Sequence, residues 1–225
     1  MKYIFFTALV SILLLTACLN TEGLLEFKGK VLDESTKSAI SGRKVIIKAL
    51  EDSDNEFISS YAGYFTTDSA GTFSYTLTKV KKAYWYEFSV VGDTSFACLN
   101  KRISLGELNS NGKFLSFYLD KLADFTIKIN RMSKIPILDT LYVSWVSNGI
   151  DGKTMYPYEI GNNWIYSKEG LRWIGGDIKS VIRTKVYADK RTIVRWELFR
   201  EGKYKEIIDT IFCVRDAANS VYLKY

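Results

Sequence analysis

Three side chains in this 225-residue sequence carry a thiol, Cys18, Cys98 and Cys213, and none carries an imidazole. The absence of histidine removes Ser-His-Asp and Cys-His catalysis, imidazole general bases and His-ligated zinc together. Three cysteines are too few for a cysteine-only zinc site, so no metal and no other cofactor is expected. Twenty-five carboxylates remain. A pair of them facing each other across a cleft would suit glycoside hydrolysis, but their spacing singles out no pair. Asp52-Ser53-Asp54-Asn55-Glu56 crowds acids as a calcium loop does. It lacks the glycine and the distant bidentate glutamate of an EF-hand, and reads as a hairpin tip. No catalytic residue is assigned, and the chain is not expected to be an enzyme.

Cys18 has a different setting. Lys2 supplies a positive start, and Ile4 to Leu15 is apolar except for Thr7 and Ser11. Thr16 and Ala17 are small, so a peptidase can approach the bond before Cys18. The apolar run is short of the ~20 residues a spanning helix needs. Leu15-Thr16-Ala17-Cys18 resembles the lipobox of bacterial lipoproteins. The resemblance implies a signal peptide over 1–17, an acylated Cys18 held by membrane lipid, and a short tether over 18–24. Each buried methylene contributes ~0.8 kcal/mol, so two or three acyl chains give lasting attachment. No aspartate follows Cys18, which by the same resemblance favours the outer membrane, on either face. A chain exported to the envelope is not expected to meet nucleic acid.

Cys98 and Cys213 both sit in apolar sequence, Phe96-Ala97-Cys98-Leu99 and Ile211-Phe212-Cys213-Val214. They are expected either as buried thiols or, in an oxidising compartment, as a disulfide stapling two domains.

Two further sets of residues suit recognition. Tyr156, Tyr158, Trp164, Tyr166 and Trp173 fall in a long glycine- and asparagine-rich stretch, 148–177. Exposed, they would offer sugars a stacking platform; otherwise they are core. The charge is also uneven: residues 19–120 hold twelve basic and thirteen acidic side chains, whereas 121–225 hold eighteen and twelve. Lys179, Arg183, Lys185, Arg191 and Arg195 lead this excess. They read as a basic surface for anionic partners, or as a solvated strand face whose charges discourage edge pairing.

Period-two alternation predicts an all-β chain. Strands are expected at 25–32, 43–50, 57–66, 72–78, 84–91 and 114–119, with one short helix at 103–108. In the second half they are expected at 125–131, 140–147, 178–187, 192–200, 205–214 and 221–225. Glu201-Gly202-Lys203 and Ala188-Asp189-Lys190 read as hairpin turns joining the long strands into a meander. The 148–177 stretch is either a functional loop or a cover for short strands.

Gly29-Lys30-Val31-Leu32-Asp33, Thr36, Ile40-Ser41-Gly42 with Val45, and Thr67-Asp68-Ser69-Ala70-Gly71-Thr72-Phe73 resemble the carboxypeptidase regulatory-like, transthyretin-like β-sandwich. Ala39 departs from that pattern where many members carry proline, and the stretch from Val45 to Thr67 is long. The resemblance implies an accessory or spacer module without activity. The expected architecture is two consecutive antiparallel β-sandwich domains, 25–121 and 122–225, the second of no named family. The expected function is a membrane-anchored structural or protein-binding module, with glycan binding through 156–173 as the alternative.

Overall fold

The computed structural model describes residues 23–53, 56–109, 114–131, 139–147, 157–161, 163–167, 170–175 and 178–224. The leader with Cys18, and Tyr156, lie outside the described residues, as do the acidic side chains of the 52–56 tip. Almost all regular structure is strand, and the chain forms two units. Unit one takes the chain up to Leu32, then Ser38–Val91 and Cys98–Tyr118. Unit two takes Asp33–Lys37, Gly92–Ala97 and Leu119–Tyr225. The second unit therefore draws two short segments from the first half of the sequence, which a division at 121/122 leaves out.

Unit one is a β-sandwich. One sheet has the order β4 (Thr72–Thr78), β1 (Leu24–Asp33), β7 (Phe114–Leu119). The other has β3 (Glu56–Thr66), β2 (Lys44–Ser53), β5 (Trp85–Val90), β6 (Leu99–Ser104). Alternation sets the faces: Leu25, Phe27 and Val31 of β1 point inward while Glu26, Lys28 and Lys30 point out. Phe27 meets Phe88 edge-on with ring centroids 5.3 Å apart, and Phe65 stacks on Phe73 at 4.3 Å. The turn before β4 works through Asp68, whose carboxylate accepts the N–H groups of Ala70 and Thr72 at 2.9 and 2.7 Å. Gly71 adopts φ +68°, a conformation open to glycine at little cost, and delivers Phe73 to the core. The helix is shorter than expected. It is α1 (Leu105–Leu108), capped by Ser104 and Glu107, and a strand, β6, precedes it.

Unit two is a second β-sandwich. Its four-stranded sheet has the order β10 (Pro157–Ile160), β13 (Lys179–Tyr187), β8 (Leu122–Asn130), β16 (Asn219–Lys224). Its five-stranded sheet has β11 (Trp164–Ser167), β12 (Gly170–Gly175), β9 (Asp139–Ser147), β14 (Lys190–Arg200), β15 (Lys203–Cys213). Between them lie Phe125, Ile127, Leu141, Val143, Ile182 and Trp196, all essentially without exposure. The stretch 148–177 thus contains three short strands.

Two expectations are corrected here. The sandwich is not wholly antiparallel, because β16 runs parallel to β8. Ala188-Asp189 is not a hairpin: β13 and β14 belong to opposite sheets. Alternation fails at this corner, where Val186, Tyr187 and Ala188 are buried in succession. The chain passes there from one sheet to the other, held by bonds from Tyr187 N–H to Ser147 Oγ and from Asp189 N–H to the Cys213 carbonyl. Glu201-Gly202 is a true hairpin turn. Both residues have positive φ, 50° and 72°, and Arg200 pairs with Lys203 as a mirror-image two-residue turn requires.

Candidate functional site

The aromatic residues of 156–173 do not form one platform. Trp164 and Trp173 face each other across the β11–β12 pair and belong to the core. Trp164 Nε1 donates to Ser180 Oγ at 2.9 Å, which satisfies its polar atom in place. Tyr158 and Tyr166 are exposed, but they lie on different sheets. Tyr158 donates its hydroxyl to Asp124 at 3.1 Å. A sugar platform built on the two tryptophans is therefore excluded, because burying two indoles is what closes the sandwich around 157–175.

The basic residues are likewise divided. Lys179, Arg183 and Lys185 stand on the outer face of the four-stranded sheet, opposite the inward Ile182 and Val186. Arg191 and Arg195 stand on the outer face of the five-stranded sheet. Neighbouring acids offset much of the charge: Arg183 pairs with Glu159, Lys185 with Asp124 at 2.9 Å and Arg195 with Glu206 at 3.0 Å. There is no single basic surface, because the crossover at Ala188 sends consecutive strands to opposite sheets.

No disulfide joins Cys98 and Cys213. Cys98 is exposed, contrary to expectation, and Cys213 is fully buried. Cys213 donates its thiol to Thr192 Oγ1 at 3.4 Å, and burial pushes that thiol's pKa up. It is a small apolar side chain of the core rather than a nucleophile.

The feature that sequence reasoning missed is the outer face of the five-stranded sheet. Ile174, Ile193, Phe199, Tyr204, Ile208 and Phe212 each expose between 42 and 56% of their surface there. Taking about 200 Å² for a fully exposed large side chain, this is roughly 600 Å² of apolar surface on one sheet face. That matches the largest apolar patches of ordinary monomers, which are often functional. The rings are already ordered: Phe199 lies 5.9 Å from Tyr142, edge to face, and 4.9 Å from Tyr204. Charges run through the patch. Arg195 is paired in register with Ile208, and Glu197 with Glu206. The signal was present in β14 and β15, where apolar residues occupy both parities: Ile193 and Phe199 beside Val194 and Trp196, Ile208 and Phe212 beside Ile207 and Ile211. A second exposed surface lies in unit one. The edge strand β3 has no charged residue between Glu56 and Asp68, and Phe57, Ile58, Tyr61 and Tyr64 are exposed. An irregularity in the β2–β3 register between Ile47 and Lys48 interrupts that edge.

Two charged clusters in unit two are ion networks internal to the fold. In one, Arg215 donates to Asp33 from Nη1 and Nη2 at 2.5 and 2.9 Å, and from Nε to Asp189 at 2.9 Å. The Arg215 guanidinium holds the Asp33 carboxyl at about 2, from an ordinary 3.8; burial opposes this, and the N–H groups of Thr36 and Ser35 assist. A depressed carboxylate stabilises the fold fully above its unfolded pKa and loses that contribution as pH falls through the folded one. Unit two is therefore expected to lose about 2 kcal/mol between pH 4 and pH 2 from this group alone. Urea midpoints measured across that window will show it. Asp33→Asn, already weakened at neutral pH, will lack that part of the slope, and an unchanged slope would refute the assignment. The other cluster, around Asp139, is taken up in the Discussion. Among the described residues, no group of three or more acidic or cysteine side chains is placed to hold a metal, and no helix is long and apolar enough to cross a membrane.

No family model and no curated protein matches this chain. Similar solved structures include the shaft pilin SpaA of Lactobacillus rhamnosus GG, at 11% identity over 90% of this chain and 97% of that one, with a TM-score of 0.34. The streptococcal ancillary pilin is similar at 11% identity over 91% of this chain and 63% of that one, with a TM-score of 0.39. The minor pilin GBS52 of Streptococcus agalactiae is similar at 10% identity over 89% and 94%, with a TM-score of 0.37. Identity and overlap this low do not carry function across.

Proposed function

We propose that this chain is a lipid-anchored, non-catalytic module of the cell envelope, held at the outer membrane through Cys18, that binds another protein. Its binding surface is the outer face of the five-stranded sheet in unit two. The observation that carries this reading is six large apolar side chains exposed together on that face. The outer face of a sandwich is ordinarily polar, and large apolar patches mark interaction sites. The lipobox-like Leu15–Cys18 supports the anchor. The Thr67–Phe73 turn supports an accessory role for unit one of the carboxypeptidase regulatory-like kind.

Photo-crosslinking in cells tests the reading. A crosslinker at position 208 is expected to give a discrete protein adduct in the membrane fraction. One at position 128, on the outer face of the four-stranded sheet, is expected to give none. Cys18→Ala is expected to move the protein to the soluble fraction. Absence of an adduct from 208 removes the binding reading, and continued membrane retention of Cys18→Ala removes the anchor.

A further inference from the structure

The exposed face of the five-stranded sheet has a pattern that fits itself. On β14 the outward residues run Arg191, Ile193, Arg195, Glu197, Phe199, and Trp196 lies on the opposite, buried side. Two copies stacked face to face, with a two-fold axis crossing the strands at Trp196, would set residue 195 against 197 and 193 against 199. Arg195 then meets Glu197 of the other copy, and Ile193 meets Phe199. The charges are complementary twice over, and apolar side chains meet apolar side chains.

Three observations agree with this arrangement. Arg195 is paired within the chain to Glu206, whereas Glu197 has no cation within ion-pair distance among the described residues, so an arginine from outside has a place to go. The roughly 600 Å² of apolar side chain, with the arginines, glutamates and threonines between, approaches the ~800 Å² per partner of a standard stable interface. One edge of the same sheet is guarded against the competing edge-to-edge route. The edge strand β15 carries Lys203, Lys205, Glu206 and Asp209, and such charges disfavour edge-to-edge pairing.

We propose that the partner on this face is a second copy of the chain, joined in an isologous two-fold dimer by sheet stacking. This rests on the reading of the face as a protein interface. The stacked sheets would lie about 10 Å apart with interdigitated side chains, as in any β-sandwich.

Charge exchange tests the pairing. Full-length chain, extracted from membranes in detergent, is measured by light scattering and sedimentation. The wild type is expected to dimerise in the micromolar range. Arg195→Glu and Glu197→Lys, each alone, bring like charges together twice per dimer and are expected to weaken dimerisation at least about tenfold. Mixing the two variants restores both opposite-charge contacts, so a heterodimer of near wild-type strength is expected. Rescue by mixing also shows that each variant is folded.

A wild type that stays monomeric at about 100 μM overturns the proposal, as does a mixture that fails to associate while the wild type dimerises. A dimer that survives both variants and is lost in Tyr61→Lys overturns it too, and assigns self-association to the β3 edge. If the wild type is monomeric but position 208 crosslinks to a different envelope protein, the second-copy inference falls and the binding face stands. If it is monomeric and 208 gives no adduct, both fall.

Discussion

Replacing Asp139 by asparagine is expected to cost unit two about 3–5 kcal/mol. Asp139 opens β9 and is wholly buried. Arg200 donates to both its oxygens, from Nε and Nη2, each at 2.7 Å. Arg131, whose side chain is also fully buried, brings Nε to 3.4 Å from the same carboxylate. One carboxylate thus sits between two guanidiniums at one end of the core. Asparagine fills the same space but removes the charge that both guanidiniums contact. The urea midpoint should fall with no change in slope, which separates lost stability from an altered unfolded state. The network as a whole need not be worth its desolvation. Arg131→Met, Asp139→Leu and Arg200→Met together are expected to return stability to within about 1 kcal/mol of the wild type or above it. A loss below about 1 kcal/mol for Asp139→Asn alone would show that the arginines reach other partners on relaxing.

Gly29→Ala is expected to be the most damaging single methyl in unit one. β1 lies so close to β7 that a Cβ at position 29 would come within 1.9 Å of the Leu115 carbonyl oxygen and 2.6 Å of the Phe73 ring. The phenylalanine can turn aside. The carbonyl belongs to the backbone of a paired strand, so β7 itself must move. Overpacking of this kind costs about 3 kcal/mol, the upper end of its usual range, when nothing flexible absorbs it. Gly106 in α1 is the matched control, since no heavy atom lies within 4 Å of a Cβ there. Gly106→Ala is expected to be neutral or to stabilise by up to about 1 kcal/mol, as alanine does in helices. Thermal melts of the two variants, followed through the unit-one aromatics, should fall for Gly29→Ala alone. Equal shifts would mean that β1 and β7 separate without strain.

How much of this was legible follows from where period two holds. β1, β4 and β8 alternate cleanly because one face meets the core and the other meets water, and their limits were readable to within a few residues. β6 was missed: Asn100, Lys101 and Arg102 are exposed on an edge strand, so no apolar period marks it. β10 to β12 were blurred by glycines, and by tryptophans that fit a core or a surface platform equally by pattern. The turns were legible only as turns. Glu201-Gly202 and Ala188-Asp189 have similar chemistry, yet one folds a hairpin and the other changes sheets. Only the run of buried residues at 186–188 separates them, and burial is not written in a turn. The outer face of the five-stranded sheet was hidden for another reason: Arg195 and Glu197 mark that face of β14 as water-facing, and so mask Ile193 and Phe199 beside them. The division of the basic residues depended on the same crossover.

The bond between Arg215 and Asp33 spans 182 positions of sequence. Closing so wide a loop is slow compared with zipping a hairpin such as β14–β15. Every strand of unit one is complete by Leu119, about a hundred positions before Arg215. During synthesis, unit one can thus settle first, while Asp33–Lys37 waits for an arginine that is made much later. A chain cut just before Arg215 would contain all of unit one and most of unit two, but would leave Asp33 without its guanidinium. Premature termination would therefore be felt at a segment made 182 positions earlier.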